Sequence, residues 1–397
     1  MSVLIICEKP SVAKTVALAL GAAEQKDGYL SGDGLLVSWC IGHLISMADA
    51  GSYDERYKKW RYEDLPILPQ AWKYAPTPGK EKQLAVLKEL LHRSDVSEVV
   101  NGCDAGREGE LIFRFVYEQA GCTKPFSRLW ISSMEDSAIR EGFAGRRAGT
   151  EYDALYQSAL CRARADWLVG INATRLFSVL YHKTLNVGRV LSPTLNLLVE
   201  RDGKITMFHK EKYHIVHIGC GGVDAKSERI SDATAADALK TACEASQAVC
   251  VSLKKEKKTA LPPKLFDLTS LQREANRVYG FTAKQTLDYA QSLYEKRFLT
   301  YPRTDSNYLT EDMAQTATDL AAALLPVLPF MQGAELMPEI GRVINSAKVS
   351  DHHAIIPTTA FAGSGFDGLP ESEKKLMSLV CCKLLCAVAA PQEYETV

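Results

Sequence analysis

With 397 residues the chain is longer than one ordinary hydrophobic core requires, and two to four domains are expected. Hydrophobic residues make up 46% and charged residues 24%, the balance of a soluble globular protein. Lysine and arginine number 47 against 48 aspartates and glutamates, which excludes a globally basic molecule, so a polyanion would have to meet a local basic surface. The N-terminal apolar run is too short for a signal peptide and no later run has the length of a membrane span, so a cytoplasmic protein is expected. Among the 11 cysteines, Cys7, Cys40 and Cys103 lie inside apolar runs, the only cluster is Cys381, Cys382 and Cys386, and no CxxC pair occurs. A zinc ribbon is therefore not expected, and the thiols read as reduced core residues.

In chain order, residues 3–7 form a short continuous apolar run, read as a buried strand, and Pro10 opens a helix to about Leu20. Residues 35–39 read as a second strand, 83–93 as a helix, and 97–102 as a strand that leads into Asp104. A helix from Arg107 to about Gln119 and a strand over 129–131 complete an alternating α/β pattern with a largely parallel sheet over 1–150. In such sheets ligands gather at the carboxyl ends of the strands, where Glu8 and Asp104 both fall. Residues 152–181 are helix-rich and carry Arg162, Arg164, Asp166 and Arg175, and a further helix is expected over 192–201. Arg162 and Asp166, four apart, suit either a solvated helix-surface ion pair or part of a DNA backbone surface.

Short strands, the clearest over 213–218, surround a helix expected over 234–245. Lys254-Lys255-Glu256-Lys257-Lys258 before Leu261-Pro262-Pro263 reads as a solvated hinge and domain boundary. Helices follow over 269–279 and 282–295, the second capped by Thr282 with Gln285 three residues on. Two more, over 313–325 and 373–389, flank an irregular segment at 351–358. The chain stops in what reads as the start of an extended segment, and truncation is expected.

Two groups of residues carry chemistry. Thr300-Tyr301-Pro302-Arg303-Thr304-Asp305 follows a hydrophobic lead-in; Pro302 biases Tyr301 toward an extended backbone, so the phenol and the Arg303 guanidinium, two apart, can project from one side. A phenol with a pKa near ~10 is a weak nucleophile at neutral pH, and an arginine stabilises both a phenolate and the charge developing at phosphorus. The same residues also suit an ordinary strand beside a surface arginine, and this stretch alone leaves both readings open. The second group is acidic: Glu8, followed by Lys9, and Asp104-Ala105-Gly106-Arg107-Glu108-Gly109-Glu110. Glu8, Asp104 and Glu108 are candidate Mg²⁺ ligands, and Lys9 adds a phosphate-directed charge. Gly106 and Gly109 permit close backbone approach, and Glu110 reads first as a helix-dipole partner.

Ile6-Cys7-Glu8-Lys9-Pro10-Ser11 together with Asp104 to Glu110 resembles a Toprim domain, the metal-binding α/β module of topoisomerases and primases. Joined to the tyrosine block the chain resembles a type IA DNA topoisomerase of the topoisomerase III branch. Three further blocks agree: Arg162-Ala163-Arg164-Ala165-Asp166-Trp167-Leu168-Val169-Gly170, Gly188-Arg189-Val190-Leu191-Ser192-Pro193-Thr194, and His352-His353-Ala354-Ile355-Ile356-Pro357-Thr358. The resemblance implies a multidomain α/β and α+β protein: a Toprim domain over 1–150, then the first part of a helical DNA-groove domain over 151–208 and of a β-rich arch or hinge over 209–262. A tyrosine-bearing gate domain over 263–388 and a return into the arch over 389–397 complete a toroidal architecture.

The resemblance also implies an ATP-independent reaction: single-strand cleavage through a 5′-phosphotyrosine link, strand passage and religation, relaxing or unlinking DNA. Tyr301 is then the nucleophile, Glu8 the acid/base at the leaving 3′-oxygen, and Lys9 and Arg303 the contacts to the scissile phosphate. Glu8, Asp104 and Glu108 hold Mg²⁺, while Arg162, Arg164, Arg189 and His352 contact single-stranded DNA, with His353 the lesser candidate beside it. Gly106 stands where the family usually has a second aspartate, so one competent Mg²⁺ site and a weaker or absent second one are expected. The rival readings are a Toprim nuclease or primase-like enzyme and a non-catalytic single-stranded DNA-binding fragment.

Overall fold

The computed structural model describes every residue except 132, 133, 135, 334, 350 and 351; residue 351, which opens the segment before His352, therefore lies outside the described residues. The chain divides into two compact units, Met1–Asn186 with Leu261–Pro391 and Val187–Ala260 with Gln392–Val397.

The first unit begins with strand β1 (Ser2–Cys7) and helix α1 (Pro10–Leu20), whose Pro10 sits in the first turn, where no amide hydrogen is needed. Strands β2 (Glu24–Lys26), β3 (Tyr29–Gly32) and β4 (Leu35–Trp39) follow, then a small ribbon of β5 (Ile45–Met47) and β6 (Tyr74–Pro76). Helix α2 (Glu81–His92), β7 (Val96–Gly102), α3 (Arg107–Gln119), β8 (Phe126–Arg128), α4 (Asp136–Ala144) and β9 (Arg147–Ala148) complete the region. Seven strands form one sheet in the order β2-β3-β4-β1-β7-β8-β9. The four central strands β4, β1, β7 and β8 are parallel, and the edges β2–β3–β4 and β8–β9 are antiparallel.

Both faces of β1 are covered, which is why its sequence runs apolar without alternation. Leu4 and Ile6 enter a core with α2, α3 and the start of the following helix; Ile5 and Cys7 enter another with α1 and Ile139 of α4. The parallel register sets Cys7 beside Gly102, so the residues that follow, Glu8 and the Asp104 turn, leave the sheet side by side.

The expected strand over 129–131 is instead Phe126–Arg128. The apolar run marked the wrong residues because Arg128 of the true strand is a buried cation neutralised inside the protein, a pattern hydrophobicity does not register.

Helix α5 (Asp153–Leu180) is 28 residues long and packs its first turns on α3 through Tyr156, Ala159 and Leu160. The second unit contains α6 (Leu191–Thr206), the hairpin β10 (His217–Cys220) and β11 (Val223–Lys226), α7 (Ala233–Ala245) and β12 (Glu256–Ala260). The strand expected over 213–218 begins later, residue 214 making only an isolated bridge to Ile230. The lysine-rich stretch read as a hinge supplies β12, whose partner β13 (Gln392–Thr396) sets Lys257 opposite Glu395. Cross-strand charge pairing, unavailable to a local reading, makes that stretch a strand.

Back in the first unit, α8 (Leu268–Tyr279) and α9 (Ala283–Glu295) both start with capping boxes, from Asp267 with Ser270 and from Thr282 with Gln285. Helices α10 (Ala314–Leu324), α11 (Thr359–Ser364) and α12 (Glu371–Ala387) surround a third core that includes Phe266, Leu271, Leu293, Leu299, Phe361 and Leu384. Helix α11 was not expected; at six residues it is too short to show helical periodicity. All 11 cysteines are unpaired thiols. Among the described residues no helix is long and apolar enough to cross a membrane.

Candidate active site

The segment that carries Tyr301 has no regular ladder of its own and is laced to residues 352–358. Thr300 N–H donates to the Ile356 carbonyl at 3.0 Å, and Ile356 N–H returns a bond to Thr300 Oγ1 at 3.0 Å. Thr300 Oγ1 donates to the Ala354 carbonyl at 3.2 Å and Thr304 Oγ1 to that of His352 at 2.8 Å. The threonines flanking the tyrosine thus do the work of a strand partner, and they place the His352 ring against Tyr301 with centroids 4.2 Å apart. Tyr294, at the end of α9, meets the other side of Tyr301 edge-on at 5.3 Å. Both tyrosines belong to the same core as Ile5, Cys7 and Val12 of the sheet region.

The Tyr301 hydroxyl donates to Asp104 Oδ2 at 2.9 Å. A cleft of about 570 Å³ opens at this contact, lined by Glu8, Asp104, Glu108, Arg162, Arg303 and His352 among others. Of the residues singled out in the sequence, Tyr301, Arg303, Glu8, Asp104, Glu108, Arg162 and His352 therefore line one cleft. Lys9 stands just outside it, with Nζ 4.0 Å from Glu8 Oε1. Arg164 turns away, stacking on Trp72 at 5.4 Å and reaching toward the Tyr74 hydroxyl at 3.5 Å. His353 is buried, its Nδ1 2.8 Å from the Ala354 carbonyl oxygen. Arg189 is exposed and belongs to the second unit.

The electrostatics of the cleft are those of crowded carboxylates. Burial and then the charge of Asp104 push the Glu8 carboxyl up to about 7, against the pull of Lys9 and Arg303. Burial, and after it Asp104, pushes the Tyr301 phenol well above its ordinary value, while Arg303 pulls the other way. Burial lowers His352 to about 4, so its imidazole is neutral at physiological pH. Its Nδ1 is buried without a hydrogen-bond partner.

Glu108 is held apart from the other two acids. Its Oε1 lies 2.6 Å from His43 Nε2, and its Oε2 accepts from Arg162 Nη2. Among the described residues no three histidine, cysteine or carboxylate side chains are gathered into a ready metal centre. The Glu8 and Asp104 pair nevertheless fits a divalent cation: two half-buried acids side by side are the donors whose mutual repulsion a hard cation relieves. Glu108 can join them only if its carboxylate shifts from where His43 and Arg162 hold it.

Behind the cleft, the expected dipole role of Glu110 gives way to a buried one. Its fully enclosed carboxylate accepts from Asn101 Nδ2 at 2.8 Å and Arg114 Nε at 2.9 Å, and lies 3.1 Å from Arg128 Nε. Arg128 in turn donates through Nη1 to the carbonyls of Asn101, Cys103 and Leu129 and through Nη2 to that of Asp104, at 2.6–3.0 Å. Four backbone carbonyls around the Asp104 turn are thus tied to one guanidinium. Gly109 lets α3 approach that turn: a Cβ there would lie 2.1 Å from the Asp104 carbonyl oxygen. His43, Tyr294 and Arg128 were not singled out in the sequence. The Gly42-His43-Leu44 turn after an apolar strand was the one available signal for His43.

The chain thus sets a tyrosine against paired acids at the carboxyl edge of an α/β sheet, and comparison with known proteins identifies the family. A family model described as DNA topoisomerase matches residues 150–397, and the Toprim domain model matches residues 3–134. DNA topoisomerase 3 of Bacillus licheniformis is 40% identical over 405 residues, covering 99% of this chain and 55% of that protein. DNA topoisomerase 3 of Bacillus subtilis is similar to the same extent, with 40% identity over 405 residues. Full-length topoisomerase I from Thermotoga maritima superposes with a TM-score of 0.72 at 26% identity, covering 99% of this chain and 62% of that one. The chain belongs to the type IA DNA topoisomerase family. It spans about half the length, 55%, of the curated relatives it matches.

Proposed function

We propose that this chain carries the cleavage and religation centre of an ATP-independent DNA topoisomerase, with a single-stranded DNA region as substrate and Tyr301 as nucleophile. The observation that carries the reading is the Tyr301 hydroxyl on Asp104, at 2.9 Å, in a cleft shared with Glu8 and Arg303. In the reaction the Tyr301 oxygen bonds to phosphorus as the bond from phosphorus to the 3′-oxygen breaks. The phenol proton leaves toward the acidic cluster, and the 3′-oxygen receives one. Glu8, raised to about 7, retains a proton near neutrality and is suited to deliver it. Arg303 faces the phosphate and offsets charge developing on its oxygens. Neutral His352, which lines the cleft, is suited to help position the bound strand.

Asp104 and Glu108, with Glu8 once it has given up its proton, would hold Mg²⁺, which supplies charge neutralisation at the phosphate. Lys9, Arg162, Arg164 and Arg189 are proposed phosphate contacts, Arg164 requiring a turn away from Trp72. Residues 1–150 form the metal-bearing side of the gate and 263–388 the tyrosine-bearing side; 151–208 and 389–397 begin the groove and the return into an arch over 209–262. A DNA substrate is consistent with a cytoplasmic site of action. Relaxation or unlinking, which needs strand passage, is proposed for the whole protein.

The test is denaturing-gel capture of an end-labelled single-stranded oligonucleotide, with and without Mg²⁺. The chain is expected to give a covalently shifted band that Tyr301→Phe abolishes. Cleavage undiminished by Tyr301→Phe would establish a Toprim nuclease instead, and binding with no adduct in either protein would establish a DNA-binding fragment.

A further inference from the structure

We propose that Arg162 couples DNA binding to metal binding: it holds Glu108 away from the Glu8 and Asp104 pair until a DNA phosphate takes the guanidinium. The inference rests on the topoisomerase reading above. Both carboxylate oxygens of Glu108 are occupied, one by His43 and one by Arg162. Each oxygen keeps a lone pair, but the two partners together fix where the carboxylate sits, and it is not gathered with Glu8 and Asp104 into a three-ligand group while both remain. The two partners are not equivalent. His43 sits on a turn whose carbonyls, those of Ile41 and His43, are gripped by Lys80 Nζ at 2.6 and 3.1 Å. It is not part of the cleft wall that Tyr301 and Arg303 line. Arg162 is on that wall, projecting from α5, 54 residues along the chain from Glu108. A phosphodiester competes for a guanidinium in the same forked geometry as a carboxylate.

DNA entering the cleft is therefore the natural competitor for Arg162. Once Arg162 turns to phosphate, Glu108 loses one of its two restraints and its affinity for a cation shared with Glu8 and Asp104 rises. Linkage makes the effect reciprocal, the cation strengthening DNA binding by the same factor. The order also has a chemical use: the cation is completed only when there is a phosphate for it to act on.

The test is Mn²⁺ binding, read from the paramagnetic resonance of the free ion, in a Tyr301→Phe background that prevents cleavage. It is run with and without a single-stranded oligonucleotide, saturation being verified by fluorescence anisotropy and ion bound by DNA alone subtracted. With Arg162 intact, DNA is expected to tighten Mn²⁺ binding roughly fivefold or more, the lower range of such couplings. Arg162→Gln is expected to tighten DNA-free binding by a similar factor and to reduce the further effect of DNA to less than about twofold. His43→Gln is expected to tighten DNA-free binding while leaving the DNA effect in place. The proposal is overturned if Arg162→Gln leaves DNA-free binding unchanged, if it keeps the full DNA effect, or if Mn²⁺ fails to bind with or without DNA. An adduct formed through Tyr301 alongside DNA-independent Mn²⁺ binding would refute the coupling and leave the catalytic reading intact; failure of the adduct itself would refute that reading.

Discussion

The hydroxyl of Tyr301 and the carboxylate of Asp104, 197 residues apart in sequence, meet at 2.9 Å and join the tyrosine segment to the sheet. The contact has an energetic role separate from any chemistry. Tyr301→Phe removes this one hydrogen bond and keeps the ring against His352 and Tyr294. The variant is expected to fold normally and to lose on the order of 1 kcal/mol in a urea titration. A loss several times larger would mean that the ring packing depends on the hydroxyl, and would disqualify the variant as a control for adduct formation.

Gly106 has φ 164 and ψ 175, an extended backbone open to any residue. Its lack of a carboxylate is therefore a choice of side chain and not a backbone requirement. Calorimetric titration of the chain with Mg²⁺ is expected to show one competent site and a weak or absent second. Gly106→Asp is expected to add a second binding event without loss of fold. Two tight, independent sites in the unaltered chain would contradict this.

The sequence was most informative where topology and chemistry coincide. Glu8 and Asp104 were legible because each follows an apolar strand, and parallel neighbours put their carboxyl ends at one edge. The cap at Thr282 was legible because capping is local. What escaped depends on partners far along the chain. The lysines of β12 are exposed as a solvated stretch would have them, and only the fold sets Glu395 opposite Lys257 to make them a strand. Glu110 looks like a helix-end acid until Arg128 and Arg114 close around it. Glu108 looked like a ready ligand, and only the fold brings His43 and Arg162 to occupy it.

The Glu110 cluster yields a prediction of its own. Burial pushes this carboxyl up and Arg128 and Arg114 pull it back, so its charge depends on keeping both partners. Glu110→Ala leaves Arg128, fully buried, without its counter-ion. Breaking a buried pair from one side costs roughly 3–5 kcal/mol. Guanidinium titration is expected to show a loss of that order, with Mg²⁺ binding weakened in the folded fraction because the same guanidinium holds the Asp104 carbonyl. A loss below about 1 kcal/mol would place the cluster among dispensable surface pairs.

The buried histidines make stability sensitive to acid. Burial lowers His352 from 6.5 to about 4, and lowers His353 as well, so both are held neutral in the folded protein. An unfolded histidine takes up a proton near pH ~6.5, whereas the folded ones resist until well below it. Between those values the unfolded state binds more protons, and stability falls as pH falls; above ~6.5 neither state is protonated and the effect vanishes. For His352 the loss amounts to roughly 2–3 kcal/mol by pH ~4, each pH unit of separation contributing about 1.4 kcal/mol. Glu8, held up at about 7 in the folded chain, gains stability as pH falls over the same range and opposes the histidine decline, so the histidine contribution is read as the difference between variants in the slope of the urea midpoint below pH ~6.5. His353→Gln, which keeps a polar group near the Ala354 carbonyl but cannot titrate, is expected to shallow that decline. A slope identical to that of the unaltered chain would assign the acid sensitivity to other groups.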